Sequence, residues 1–218
     1  MIVELQKRII TSTVLFTILL LMYLYTYILI ISLIIITLIS WIEFYGLISK
    51  IFYKNKILRF FFKVFSLTYL LLLVFGILFV LSNKPNLMIF FVYSILVSIA
   101  SDIGGLTFGK LFKGKKLTKI SPKKTISGSI GSFVFSILLI PFFVEIFVEH
   151  QILSLFVITF IISLITQLGD LFISYIKRRA KVKDTSDLLP GHGGVLDRID
   201  GIMFALPIGF LLLNYIKG

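Results

Sequence analysis

The sequence predicts an all-α fold, a polytopic integral-membrane helical bundle of about seven transmembrane helices. Three observations lead there. Hydrophobic residues make up 58% of the chain, with a mean hydropathy of +1.08, whereas a soluble domain holds about 45–50%. The excess is gathered into continuous apolar blocks, and roughly 20 such residues suffice to carry a helix across about 30 Å of hydrocarbon. Inside the blocks polar and apolar residues do not alternate, so helices rather than barrel strands are expected to satisfy the backbone. Cysteine is absent, which removes disulfides and thiolate metal sites.

In chain order, the first block covers 9–23 and the second, almost without a linker, 25–48. Lys7 and Arg8 precede them as they would in a signal peptide. The apolar run is too long for such a peptide and has no small-residue cleavage site, so it is expected to be a membrane anchor. Further spans are expected at 61–81, 87–108, 126–148, 152–176 and 201–216. The Phe-rich run Phe60–Phe62 reads as lipid-facing surface rather than a cofactor box.

Charge orients these spans. Of 22 Lys and Arg residues, 19 fall in four segments: two in 1–8, four in 49–59, seven in 110–124 and six in 177–198. The intervening connections near 82–86 and 145–151 hold only Lys84. The positive-inside rule therefore places the N-terminus and the basic loops in the cytoplasm, and seven spans would leave Gly218 outside. A net charge of +12 would suggest nucleic acid in a soluble protein. Here it is expected to report topology and attraction to anionic lipid, with no nucleic-acid partner.

The acids carry the chemistry. All six Asp lie after residue 100, and Asp102 and Asp170 sit in or at the ends of apolar spans. An intramembrane acid is costly and marks a functional position by default; the bland alternative is a hydrated carboxylate at the interface. Carboxylates hold Mg²⁺ together with substrate phosphates. Lys and Arg neutralise phosphate oxygens, and Gly-rich turns let backbone N–H groups approach them. The last basic loop holds both kinds of group, from Lys177-Arg178-Arg179 through Lys183-Asp184 to Gly193-Gly194 and Asp197-Arg198-Ile199-Asp200. If Asp197 opens the last helix, Asp197 and Asp200 share a face and can share a cation. This is equipment for phosphoryl or nucleotidyl transfer, in which positioning and charge stabilisation do most of the work.

Ser174-Tyr-Ile-Lys177-Arg178, Lys183-Asp184, Ser186, Leu189-Pro190, His192-Gly193-Gly194, Asp197-Arg198 and Asp200 form an ungapped pattern over 174–200. That pattern resembles the signature of the phosphatidate cytidylyltransferases, the CDP-diacylglycerol synthases. Ser101-Asp102 through Gly109-Lys110, Ser121-Pro122-Lys123-Lys124-Thr125 with Gly128, and Gln167-Leu168-Gly169-Asp170 are similar to other parts of that family. The likeness covers roughly 95–210, with Trp41-Ile42-Glu43 a fainter echo. It implies that CTP and phosphatidate give CDP-diacylglycerol and pyrophosphate with Mg²⁺ required, a second cation being left open. Residues 1–86 would then be N-terminal membrane helices, about three spans. Residues 87–218 would be the catalytic membrane region, with cytoplasmic loops 110–125 and 177–199. A homodimer in a bacterial inner membrane is implied as well.

On that resemblance, Asp170 and Asp197 are the expected principal metal ligands, with Asp200 and Asp102 behind them. Lys123, Lys124, Lys177, Arg178, Lys183 and Arg198 would neutralise the phosphates of CTP and phosphatidate. Ser121 and Ser174 would contact substrate, and Gly193 and Gly194 would let the backbone close on the triphosphate. His192 is either a proton donor to pyrophosphate or a cap on the Gly turn. Asp184 is expected to fix the loop by pairing with Arg178 or Lys181. Other readings weigh less. Gly104 to Lys110 has P-loop spacing, but Leu111 stands where Ser or Thr would hold Mg²⁺ and a membrane helix precedes it. Gly105 and Gly109 equally suit close helix packing. An ion-coupled transporter would show internal repeats and mid-membrane acids, and neither is present in the sequence. A CDP-archaeol synthase or a polyprenol kinase would share the chemistry and differ in the lipid.

Overall fold

The computed structural model describes residues 2–147, 152–191 and 193–217, and among them the fold is helical throughout. Helices α1 (Ile2–Leu24), α2 (Thr26–Ile51) and α3 (Lys56–Asn83) come first. A short 3-10 turn, Pro85–Leu87, leads into α4 (Met88–Phe112). Then follow α5 (Ile126–Ile137), α6 (Ile140–Phe147), α7 (Ile152–Arg179), the single turn α8 (Leu196–Ile199) and α9 (Ile202–Lys217).

The breaks have local causes. Tyr25 is extended and separates α1 from α2. Asn55 Oδ1 accepts the Leu58 amide at 3.0 Å and so caps the start of α3. Pro85 opens the turn before α4, where its missing N–H costs nothing. Thr125 Oγ1 accepts the Gly128 amide at 3.0 Å and caps α5. Lys181, at φ 58°, ends α7 in a Schellman arrangement, with Lys181 N donating to Arg178 O and Val182 N to Lys177 O.

Five helices are long and apolar enough to cross a membrane among the described residues, and the α5–α6 pair, bent by 44°, makes a sixth if it counts as one span. Seven were expected. Among the described residues α1 contributes only the shorter apolar stretch Thr13–Leu24 to that count.

The chain forms two compact units. One comprises 1–79 with 176–199, and the other 80–175 with 200–218. The signature loop groups with the N-terminal helices in the first of these units. α7 contributes to both.

The second unit is built on two seams. Along α4 and α5, a Cβ on Gly104 would collide with the Gly131 carbonyl, one on Gly105 would lie 2.8 Å from Ser132 Oγ, and one on Gly109 3.1 Å from Thr125 Oγ1. The glycines that mimic a P-loop thus serve backbone-to-backbone packing. Along α4 and α7, buried hydroxyls pair across the interface: Tyr93 with Thr159 at 2.5 Å, Ser98 with Thr166 at 2.9 Å and Ser101 with Ser163 at 3.0 Å. Such bonds contribute about 0.6 kcal/mol each within a membrane. They lock α7 in rotation and thereby fix where Asp170 emerges.

Candidate functional site

In the first unit, the loop after α7 is tied into a knot of hydrogen bonds around two carboxylates. Asp197 Oδ1 pairs with Lys177 Nζ at 2.5 Å. Its Oδ2 accepts the Thr185 amide at 2.8 Å, the Thr185 hydroxyl at 2.9 Å and the Gly194 amide at 3.0 Å. The Lys177 and Asp197 side chains are only 10% and 6% exposed. Burial of this kind is tolerable because the pair is ionic and three further hydrogen bonds satisfy Oδ2.

The second carboxylate is Glu43, 7% exposed in the middle of α2. Its oxygens accept the Thr185 hydroxyl at 2.9 Å, the Ser186 hydroxyl at 2.6 Å, and the amides of Val195 at 3.1 Å and Leu196 at 2.8 Å. Thr185 therefore shares one hydroxyl proton between Glu43 and Asp197. The two amides are orphan donors at the start of α8, so Glu43 acts as a cap supplied from a distant helix. Thr11 of α1 adds a further tie, donating to Pro190 O at 3.1 Å.

Gly193 and Gly194 serve this knot. Gly193 has φ +82°, in the left-handed region, and a Cβ there would lie 2.9 Å from Asp197 Oδ2. A Cβ on Gly194 would strike the Thr185 hydroxyl and come within 2.6 Å of both Glu43 oxygens. Their amides are engaged as well, Gly193 N with Leu189 O and Gly194 N with Asp197. The two N–H groups expected to face a triphosphate are thus used inside the loop.

In the second unit, Lys124 and Asp170 form an ion pair whose side chains are each 26% exposed. Ser174 Oγ donates to Asp170 Oδ1 at 3.3 Å from one turn further along α7. Gln167, one turn before, accepts the Ser129 hydroxyl at 2.6 Å. Lys124 reaches Asp170 because the loop folds back on itself, with Leu117 N donating to Lys124 O at 2.8 Å and Lys124 N to Ser121 O at 3.0 Å. Lys123 points outward and is exposed, and Ser121 is half-buried in the turn.

The remaining expected residues are spread more widely. Lys183, Asp184, Arg178 and Arg198 are exposed, and Arg178 donates to Val182 O at 3.2 Å. Asp102 is exposed on α4. Asp200 does not share a helix face with Asp197, as the sequence had suggested. α8 stops at Ile199, and Asp200 lies at the break before α9, its Oδ1 accepting the Gly201 amide at 2.9 Å. At the break the chain packs closely: a Cβ on Gly201 would lie 2.7 Å from the Thr166 carbonyl oxygen. His192, His150 and Glu149 lie outside the described residues. Among the described residues no three Asp, Glu or His side chains group as a ready-made metal cage.

Glu43, which sequence reasoning noted only within a faint family echo, was given no role there. Its signal was available, since a lone acid inside a block as apolar as 25–48 requires partners, but those partners lie more than 140 positions away.

The model of the Cytidylyltransferase family matches residues 2–216. A phosphatidate cytidylyltransferase of Rickettsia prowazekii (strain Madrid E) is 43% identical over 146 residues, covering 62% of this chain and 61% of that protein. One from Staphylococcus saprophyticus is 40% identical over 141 residues, covering 63% of this chain and 54% of that protein. The match thus spans 61% and 54% of these relatives' lengths.

Proposed function

The chain belongs to the Cytidylyltransferase family, and from that premise we propose that it transfers CMP from CTP to phosphatidate, giving CDP-diacylglycerol and pyrophosphate. An oxygen of the lipid phosphate attacks the α-phosphorus of CTP, the bond from that phosphorus to the bridging oxygen breaks, and pyrophosphate carries away the electron pair. The observation that supports this most directly is the half-exposed Asp170 with a lysine ammonium on one of its oxygens. Carboxylate, ammonium and hydroxyl stand together there, as transfer between phosphates requires.

The donor set fits Mg²⁺. Asp170 offers hard oxygen ligands at an accessible position and already holds a lysine ammonium on one oxygen, so it stands where positive charge is favoured. Asp170 would hold the ion, with Asp200 and Asp102 in support; Asp197, which the resemblance also implies as a ligand, has its oxygens engaged within the loop. When bound, Mg²⁺ would supply neutralisation of phosphate charge. The chain's own part follows from the lysine pairs. Lys124 orients Asp170 at rest and can turn its ammonium to a phosphate oxygen once the aspartate has another cation, while Lys177 holds Asp197 within the loop. Exposed Lys123 and Lys183, with Arg178 and Arg198, neutralise the phosphates from the solvent side, and Ser121 and Ser174 contact substrate. Gly193 and Gly194 keep the loop closed. The resemblance further supports a homodimer, a bacterial inner membrane and basic loops facing the cytoplasm.

The experiment is an assay of the purified protein in detergent with labelled CTP and phosphatidate, with and without Mg²⁺. The expected result is lipid-linked CMP that appears only with the metal. If no lipid-linked CMP forms under any condition, the proposal falls.

A further inference from the structure

A groove of about 400 Å³ opens between α2 and α3, and neither carboxylate cluster uses it. Trp41 and Tyr45 line one side, and Lys56, Arg59 and Lys63 the other. Trp41 and Tyr45 are four apart and form one face of α2. Glu43, two positions from each, lies on a different face of the same helix, because positions two apart do not face the same way. The groove is therefore a separate surface from the one that holds the signature loop.

Its walls change character along their length. Lys56, Arg59 and Lys63 follow the three-and-four spacing of one helical face over the first two turns of α3. Val64 and Leu67 continue that face deeper into the apolar helix. Lys63 is half-buried, and its ammonium lies 3.1 Å from the centroid of the Tyr45 ring, across the groove. Trp41 Nε1 donates to Lys63 O at 3.3 Å, which holds the wall in place. Among the described residues, the ion pairs of carboxylates involve other lysines, not these three cations. A set of cations placed only to mark topology would extend into water, whereas Lys63 is turned inward.

A gradient from cations at the helix start to aliphatic side chains deeper in the span matches one kind of molecule, a lipid with an anionic phosphate head. We propose that this groove seats an anionic glycerophospholipid, its phosphate on Lys56, Arg59 and Lys63 and the upper part of an acyl chain along Val64 and Leu67. Arg and Lys bind phosphate oxygens through charge-assisted hydrogen bonds, and basic residues near a membrane surface favour anionic lipid. The volume suits a headgroup with the first part of a chain. The proposal stands independently of the cytidylyl-transfer reading.

The chain contains one tryptophan, and it lines the groove, so its fluorescence reports occupancy directly. The full chain is reconstituted in phosphatidylcholine vesicles containing a small fraction of either brominated phosphatidylglycerol or brominated phosphatidylcholine. The anionic quencher is expected to act at roughly tenfold lower mole fraction than the neutral one. R59Q/K63Q should bring the two to parity, while K50Q/K54Q, which removes two nearby charges outside the groove, should stay within twofold of the parent. Should R59Q/K63Q fail to fold by circular dichroism, K56Q takes its place, with a two- to threefold loss of preference expected. Equal quenching by both lipids in the parent protein would overturn the proposal. So would a preference that survives R59Q/K63Q or K56Q, because it would then reflect general surface charge. Inorganic phosphate should leave the quenching unchanged; if it abolished the preference, the site would be one for free phosphate instead.

Discussion

Asp197 and Asp170 are both aspartates paired to a lysine, yet their surroundings differ. Asp197 accepts three hydrogen bonds besides its ion pair, and its side chain is 6% exposed. Asp170 has Lys124 and Ser174, and its side chain is 26% exposed. The first carboxylate is built into the fold of a loop, and the second is held ready at an accessible position. A buried ion pair carries a large penalty when one partner is removed, whereas a partly exposed one contributes little to stability. The same chemical pair can therefore hold structure in one place and remain available for exchange in another.

Four experiments would break or sharpen that contrast, ordered by expected loss of folding stability, with the one stabilising change last. Lys177→Met strands a buried carboxylate and should cost about 3–5 kcal/mol, read as a lower thermal midpoint in detergent. Combining it with Asp197→Asn should recover part of that loss, and a double variant worse than either single one would show that the pair does not act as a unit. Glu43→Gln keeps the shape but leaves one acceptor oxygen for four donors, and should cost about 2 kcal/mol. Limited proteolysis should then cut within 185–196 faster than in the parent protein.

Asp170→Asn should change stability by less than about 1 kcal/mol while lowering CTP-dependent turnover on the order of a hundredfold. A large drop in thermal midpoint for this variant would erase the distinction between the two aspartates. Lys181→Gly relieves a left-handed lysine at the end of α7 and should stabilise the protein by about 1 kcal/mol, with turnover unchanged.

Much of this was legible in the sequence. Continuous apolar blocks located the helices, since a membrane leaves little freedom in where a helix can lie. The pattern over 174–200 pointed to the loop and to Asp197, and the acids at Asp102 and Asp170 were singled out from their positions in the spans. The P-loop likeness was correctly set aside, and Gly105 and Gly109 indeed pack against another helix. Less legible was what each loop residue does. Gly193 and Gly194 read equally well as a phosphate cradle or as space for carboxylates. Neither the break at Asp200 nor the close approach of Gly201 to Thr166 of another helix could be foreseen from the sequence.

The sequence by itself determined the class of fold and the family, because hydropathy, charge and an ungapped motif are properties of short stretches of chain. Only the tertiary structure decided that Glu43 holds the signature loop, that Asp197 is saturated while Asp170 stays accessible, and that α2 and α3 leave a basic groove between them. Each of those depends on which distant groups satisfy a buried charge or donor. Hydrogen-bond partners separated by more than 140 residues leave no periodicity for a local reading to find.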